Sequence, residues 1–354
     1  MNATRRRTRT ARFLDLALQG GGAHGAFTWG VLDRLLEDER LELSGISGTS
    51  AGAMNAVVMA SGLATGGRRA AREALREFWA SVGAAARLNP LEGGLFGTLL
   101  GTAMPGWSPL GLYFDLASRV LSPYQFNPLN LNPLRSLLAA AVDFEAVRRC
   151  DGLRLFIGAT HVRSGRLRVF RNADLSLDAV LASACLPMLF QAVEIDGEAY
   201  WDGGYSGNPS LFPLIAESVA DDLLLVQINP LQRDQVPRRA PEILERIEEI
   251  TFNGSVLKEI RSIALLKQMI RDEGRPARRW NLPLFQRVEA LRLHRLDAAA
   301  EIAGLGAASR LAADWTTLSQ LHRAGHAAAD AWLQRNYAHL GRRSTIDLRL
   351  EAAG

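Results

Sequence analysis

The chain has 354 residues, 48% hydrophobic and 22% charged, with a net charge of +4. This length allows one large domain with an appendage, or two domains of about 150 residues, and either buries a core unaided. The composition excludes a mainly disordered chain, and so small a charge does not argue for a nucleic acid partner. Only Lys258 and Lys267 are lysines, leaving 39 arginines, a bias that genome composition explains as well as a binding surface does. Cys150 and Cys185 are too few for a disulfide framework or a thiol-only metal site and read as small buried hydrophobes.

Residues 1–12 read as a disordered basic arm, carrying Arg5, Arg6, Arg7, Arg9 and Arg12. The apolar run after it is short and interrupted by Asp15, so it does not make a secretory signal. Residues 13–18 suggest a short buried strand, broken by Gly20, Gly21 and Gly22, with helical spacing from Ala26 to Glu37. A second strand around 43–47 runs into Gly48-Thr49-Ser50-Ala51-Gly52, and a helix follows to Gly62. Two strand–turn–helix units in succession predict a parallel sheet with crossover helices.

The longest uncharged stretch runs from Gly93 to Phe114, 22 residues containing six glycines and two prolines. Its length would cross a membrane, but the glycines and prolines make it a poor helix. It reads as an apolar loop: a lid, an acyl-chain wall, an interfacial patch or core packing. Strands are expected at 153–160, 166–171, 223–228 and 288–296, and a helix at 176–184. A hairpin is expected at 192–201, turning at Asp196-Gly197. From Pro241 onward the chain reads as mostly helical.

Two glycine motifs sit at strand ends. Gly20-Gly21-Gly22-Ala23-His24-Gly25 satisfies a dinucleotide fingerprint, but the acid expected at the end of the next strand is absent: no Asp or Glu occurs from Leu43 to Arg72. Gly48-x-Ser50-x-Gly52 has the spacing of a nucleophile elbow, in which the serine sits on a tight strand-to-helix turn between tiny neighbours. The helix N-terminus there would favour a developing oxyanion. None of the six histidines (His24, His161, His294, His322, His326, His339) lies in a catalytic-looking glycine loop after Ser50. An aspartate does, in Asp202-Gly203-Gly204, and a pre-aligned carboxylate can accept a serine proton directly.

Four pieces, namely Gly20–Gly25, Gly48–Gly52, Ala182-Ser183-Ala184-Cys185-Leu186-Pro187 with Phe190, and Asp202-Gly203-Gly204, resemble in order and spacing a bacterial patatin-like phospholipase over about residues 13–230. The resemblance implies a three-layer α/β/α fold with a central, mostly parallel sheet. It implies a hydrolase domain over 13–230, leaving 231–354 as a mainly helical extension packed on the core. It further implies lipid acyl-ester hydrolysis by a Ser–Asp dyad of Ser50 and Asp202, without a cofactor or a metal. The oxyanion hole would come from Gly20, Gly21, Gly22, Ala23 and Gly25, with Gly48, Gly52, Gly203 and Gly204 in support. One departure stands out: His24 occupies a position where the family usually has Lys or Arg, which weakens the case for an anionic head group. Two alternatives stay open: an esterase or depolymerase acting on other esters, and a noncatalytic lipid-binding regulator. The expected setting is cytoplasmic, with room for peripheral contact at the inner membrane surface and no nucleic acid.

Overall fold

The structure, a computed structural model, describes residues 11–87, 121–273, 283–298, 302 and 313–348. Gly93–Phe114 lies outside the described residues, as do residues 1–10. Strand β1 (Arg12–Leu18) begins inside the arm expected to end at residue 12. Its Leu14, Leu16 and Leu18 join one hydrophobic cluster and Ala17 another. A strand covered on both faces reads as a continuous apolar run rather than an alternating one. Helix α1 (Gly25–Glu37) and strand β2 (Leu41–Gly48) follow as expected.

Helix α2 (Ala51–Arg87) departs from expectation. It does not end at Gly62 but turns at Gly66 and Gly67, where Gly67 takes φ 74°. The second arm comes back along the first, because Trp79 Nε1 donates to Asn55 Oδ1 at 3.0 Å. Short helices α3 (Pro123–Phe126), α4 (Pro133–Ala141) and α5 (Phe144–Arg148) then lead into strand β3 (Arg154–His161). Asn132 and Asp143 cap α4 and α5 by accepting backbone N–H groups. Next come β4 (Leu167–Arg171), α6 (Leu177–Ser183), β5 (Val193–Ile195) and β6 (Glu198–Asp202). Asp196 and Gly197 both have positive φ, 54° and 77°, as the expected two-residue turn requires.

The C-terminal part contributes α7 (Phe212–Glu217), β7 (Asp222–Gln227), α8 (Ala240–Asp272), α9 (Pro283–Ala290), β8 (Arg292–Asp297) and α10 (Trp315–Asn336). The strand expected at 288–296 starts later, since Val288 is a buried residue of α9. The sheet runs β5-β6-β3-β2-β1-β7-β8, with β4 also paired to β3. Strands β3, β2, β1, β7 and β8 are mutually parallel, β4 and β6 pair antiparallel to β3, and β5 pairs antiparallel to β6. One cluster unites residues of α1, α2, α4, α6 and α10 on one face of the sheet, and the other those of α7, α8 and α9. The result is the expected α/β/α layering, with β8 supplied by the segment beyond residue 230.

Helix α10 seats on α1 through two facing glycines. A Cβ on Gly30 would lie 2.0 Å from His322 O, and one on Gly325 2.0 Å from Phe27 O. Backbones this close bury Leu318, Leu321, Trp332 and Leu333 of α10 almost completely, worth roughly 1.5–3 kcal/mol for each large apolar side chain.

Candidate active site

The site forms where the parallel sheet gives way to the antiparallel hairpin. β3 pairs with β4 along one edge and shares the other between two strands. β2 holds that edge as far as Ile157, opposite Gly48, and β6 takes it from Ala159, opposite Asp202. The ends of β2 and β6 are therefore two residues apart along β3, about 7 Å. Gly48 leads into the elbow, so Ser50 and Asp202 converge from opposite directions.

Ser50 has φ 54°, a left-handed conformation unusual for a residue with a side chain. The flanking glycines make the turn possible. A Cβ on Gly48 would lie 2.8 Å from Gly52 O, and one on Gly52 2.3 Å from Leu18 O. The Ser50 N–H donates to Ser183 Oγ at 3.0 Å. Thr49 Oγ1 donates to Gly207 O at 2.7 Å, which ties the elbow to the loop after β6.

Asp202 is completely buried. Its Oδ1 accepts the Gly204 N–H at 2.7 Å, at the head of the turn Gly203–Tyr205. Its Oδ2 lacks a hydrogen bond of ordinary geometry. Burial pushes its pKa up to about 7, and the Gly204 N–H and the nearby Ser50 hydroxyl draw it back only in part. That value suits a group that takes and returns a proton near neutrality.

The glycine loop runs alongside. The N–H of Gly20, an expected oxyanion donor, is bound to Asn208 Oδ1 at 2.7 Å. The Gly25 N–H is spent on Gly22 O and Ala23 O. Gly21 packs its Cα against Ile228. Gly22 and Ala23 line the pocket beside Ser50, as does Ala51, the first residue of α2. Among the described residues, their N–H groups carry no hydrogen bond to a main-chain group outside their own elements.

Residues that sequence reasoning missed hold this arrangement. Asn55, wholly buried, donates to Gly25 O at 2.9 Å and Ala51 O at 3.1 Å, and accepts from Trp79. Gln19, Asn208, Asn229 and Asn253 form a buried carboxamide network under the glycine loop, with Asn229 Nδ2 donating to Gly20 O at 2.7 Å. Isolated Asn and Gln carry no spacing signal, so only their burial betrays them.

A pocket of about 700 Å³, mouth included, opens at Ser50. Met54, Phe78, Trp79 and Val82 of α2 form one wall, and Leu134, Leu186, Leu189 and Phe190 face them. No charged side chain lines it among the described residues. Five histidines are occupied elsewhere: His161 with Glu198, His294 with Asp222, His322 with Asp33, His326 with Glu37, and His339 with Arg343. His24 is buried at the start of α1. The metal-like cluster Asp33, Glu37 and His326 lies on α1 and α10, where Arg72 already pairs with both carboxylates.

A family model described as patatin-like phospholipase matches residues 16–215. No curated protein matches the chain. Among solved structures, VipD from Legionella pneumophila is similar at 13% identity and TM-score 0.34, covering 91% of this chain and 68% of VipD. ExoU of Pseudomonas aeruginosa, solved as a complex with SpcU, is similar at 17% identity and TM-score 0.32, covering 93% of this chain and 60% of that one. Likenesses that low carry no argument by themselves. The family match covers more than half of the chain and includes the elbow, the glycine loop and Asp202, and on that ground the chain belongs to the patatin-like phospholipases, a family of lipid ester hydrolases.

Proposed function

We propose that Ser50 and Asp202 form a Ser–Asp dyad that cleaves lipid acyl esters through an acyl-enzyme. The observation that carries this reading is a buried carboxyl, with its pKa near 7, set beside a serine on a strained elbow. Ser50 Oγ attacks the ester carbonyl while its proton passes to Asp202. The N–H groups of Gly22, Ala23 and Ala51 receive the oxyanion, a contribution of roughly 3–4 kcal/mol for each donor lost in studied systems. The tetrahedral centre collapses, and the departing alkoxide takes the proton from Asp202. Water then attacks the acyl-Ser50 ester with Asp202 accepting its proton, and the fatty acid leaves as Ser50 is reprotonated.

The apolar pocket suits the acyl chain and leaves the head group at its mouth. Residues 13–230 carry the chemistry, and beyond them α8 and α10 cover the sheet that β8 extends. No helix among the described residues is long and apolar enough to cross a membrane, and we read the enzyme as reaching its lipid peripherally. Ser50→Ala tests the assignment. It is expected to abolish hydrolysis of p-nitrophenyl butyrate with an unchanged thermal midpoint; activity equal to wild type refutes the role of Ser50.

A further inference from the structure

The main-chain N–H of Ser50 falls in a gap between elements. β2 has ended at Gly48 and α2 begins at Ala51, so neither ladder nor helix supplies its acceptor. Ser183 supplies it instead, through Oγ at 3.0 Å. Ser183 is the last residue of α6 and is wholly buried. Two residues later, Cys185 O accepts the N–H of Asp202 at 2.7 Å. The same cysteine donates its thiol to Gln191 O at 3.1 Å, which ties back the loop lining the pocket. One short segment thus grips the main chains of both groups.

We propose that residues 183–185 act as a spacer that sets the approach of Ser50 Oγ to the Asp202 carboxyl, with Ser183 as a positioning residue. This rests on the dyad reading above. A residue with a side chain keeps φ 54° only where its surroundings enforce it, and the Ser183 hydroxyl is the enforcing partner on the N–H side. Without it the buried N–H seeks another acceptor, and the elbow turns with it. Displacement of a reacting atom by about 1 Å is enough to cost about 100-fold in rate. The α6 terminus can do this because the helix stops there: Cys185 N–H turns back to Ala182 O, and Pro187 follows.

The test uses the full chain, p-nitrophenyl butyrate kinetics and the labelling rate with a fluorophosphonate. Ser183→Ala is expected to lower kcat and the labelling rate together by about 10–100-fold. KM should stay within about twofold, since substrate contacts remain. The pH midpoint of kcat should not move, because Asp202 keeps its burial. Ser183→Thr, which retains the hydroxyl, should restore most of the rate. Ser183→Cys, similar in size but a poor acceptor, should behave like the alanine variant and covers the case in which Ser183→Ala does not fold. A folded Ser183→Ala or Ser183→Cys with wild-type kcat and labelling overturns the spacer while leaving the dyad intact. A folded wild-type protein that neither labels at Ser50 nor hydrolyses the ester overturns the dyad, and the spacer falls with it.

Discussion

Asp202→Asn should trade activity for stability, and the trade should depend on pH. The carboxyl sits wholly buried with a pKa near 7 against an ordinary 3.8. Between about pH 4 and pH 7 the folded chain holds a proton that the unfolded chain has released. Stability from this group is therefore complete below the unfolded value and is lost as pH rises through the folded one. The difference of about three pKa units, at about 1.4 kcal/mol each, puts the full cost near 4 kcal/mol in order of magnitude. Asparagine is nearly isosteric, keeps an acceptor for the Gly204 N–H and carries no charge. The variant should equal wild type near pH 4 and exceed it by about 3–4 kcal/mol near pH 8. Asp15, buried in β1 with its pKa raised to about 6, adds a background of the same sign, which cancels in the comparison. Urea unfolding at a series of pH values measures the difference. The variant should also lose about 10³–10⁴ in kcat/KM, while wild-type kcat/KM should climb with pH up to about 7 and then level off. A stability difference that is flat with pH, or a wild-type rate still maximal at about pH 5, refutes the raised pKa and the role built on it.

The pocket and the α10 seat give two further expectations. Val82→Phe narrows the pocket wall without touching Ser50. It should lower kcat/KM for lauroyl esters by about tenfold relative to butyryl esters, and an equal fall for both places the chain elsewhere. Gly325→Ala sets a methyl against Phe27 O at 2.0 Å. It should destabilise by about 3 kcal/mol or more in urea unfolding, and wild-type stability would mean α10 is not seated as closely as described.

Sheet order and site geometry were legible in different degrees. The apolar runs at 13–18 and 223–228 marked central strands because burial on both faces removes alternation. Gly48-x-Ser50-x-Gly52 announced the elbow because close approach tolerates only glycine at both ends. The fold-back of α2 was not legible: Gly62 looked like a stop, while the true turn at Gly66 and Gly67 lies in a stretch of helix-compatible alanines and arginines. Motif membership cannot tell which N–H groups are already spent, and Gly20 gives its own to Asn208. Asn55, Asn208 and Ser183 act across 30 to 188 positions of sequence, and separations that large leave no local pattern.

The placement of Ser50 and Asp202 follows from the sheet itself. A purely parallel sheet would carry the next β2-like strand along the whole edge of β3, and a carboxylate could reach the elbow only from a long loop. Here β2 leaves that edge early, and an antiparallel strand fills the remainder. Its last residue, Asp202, is then held at the point where the serine turn departs, its N–H donated to Cys185 O at 2.7 Å and its C=O accepting the Thr160 hydroxyl at 2.8 Å. A strand-borne carboxylate is held more rigidly than a loop-borne one. It is also wholly buried, and that burial raises its pKa to about 7. Under the proposed dyad a histidine relay is unnecessary, because the acid is already desolvated. Four of the histidines form ion pairs or hydrogen bonds with carboxylates at α1, β6 and β7 instead.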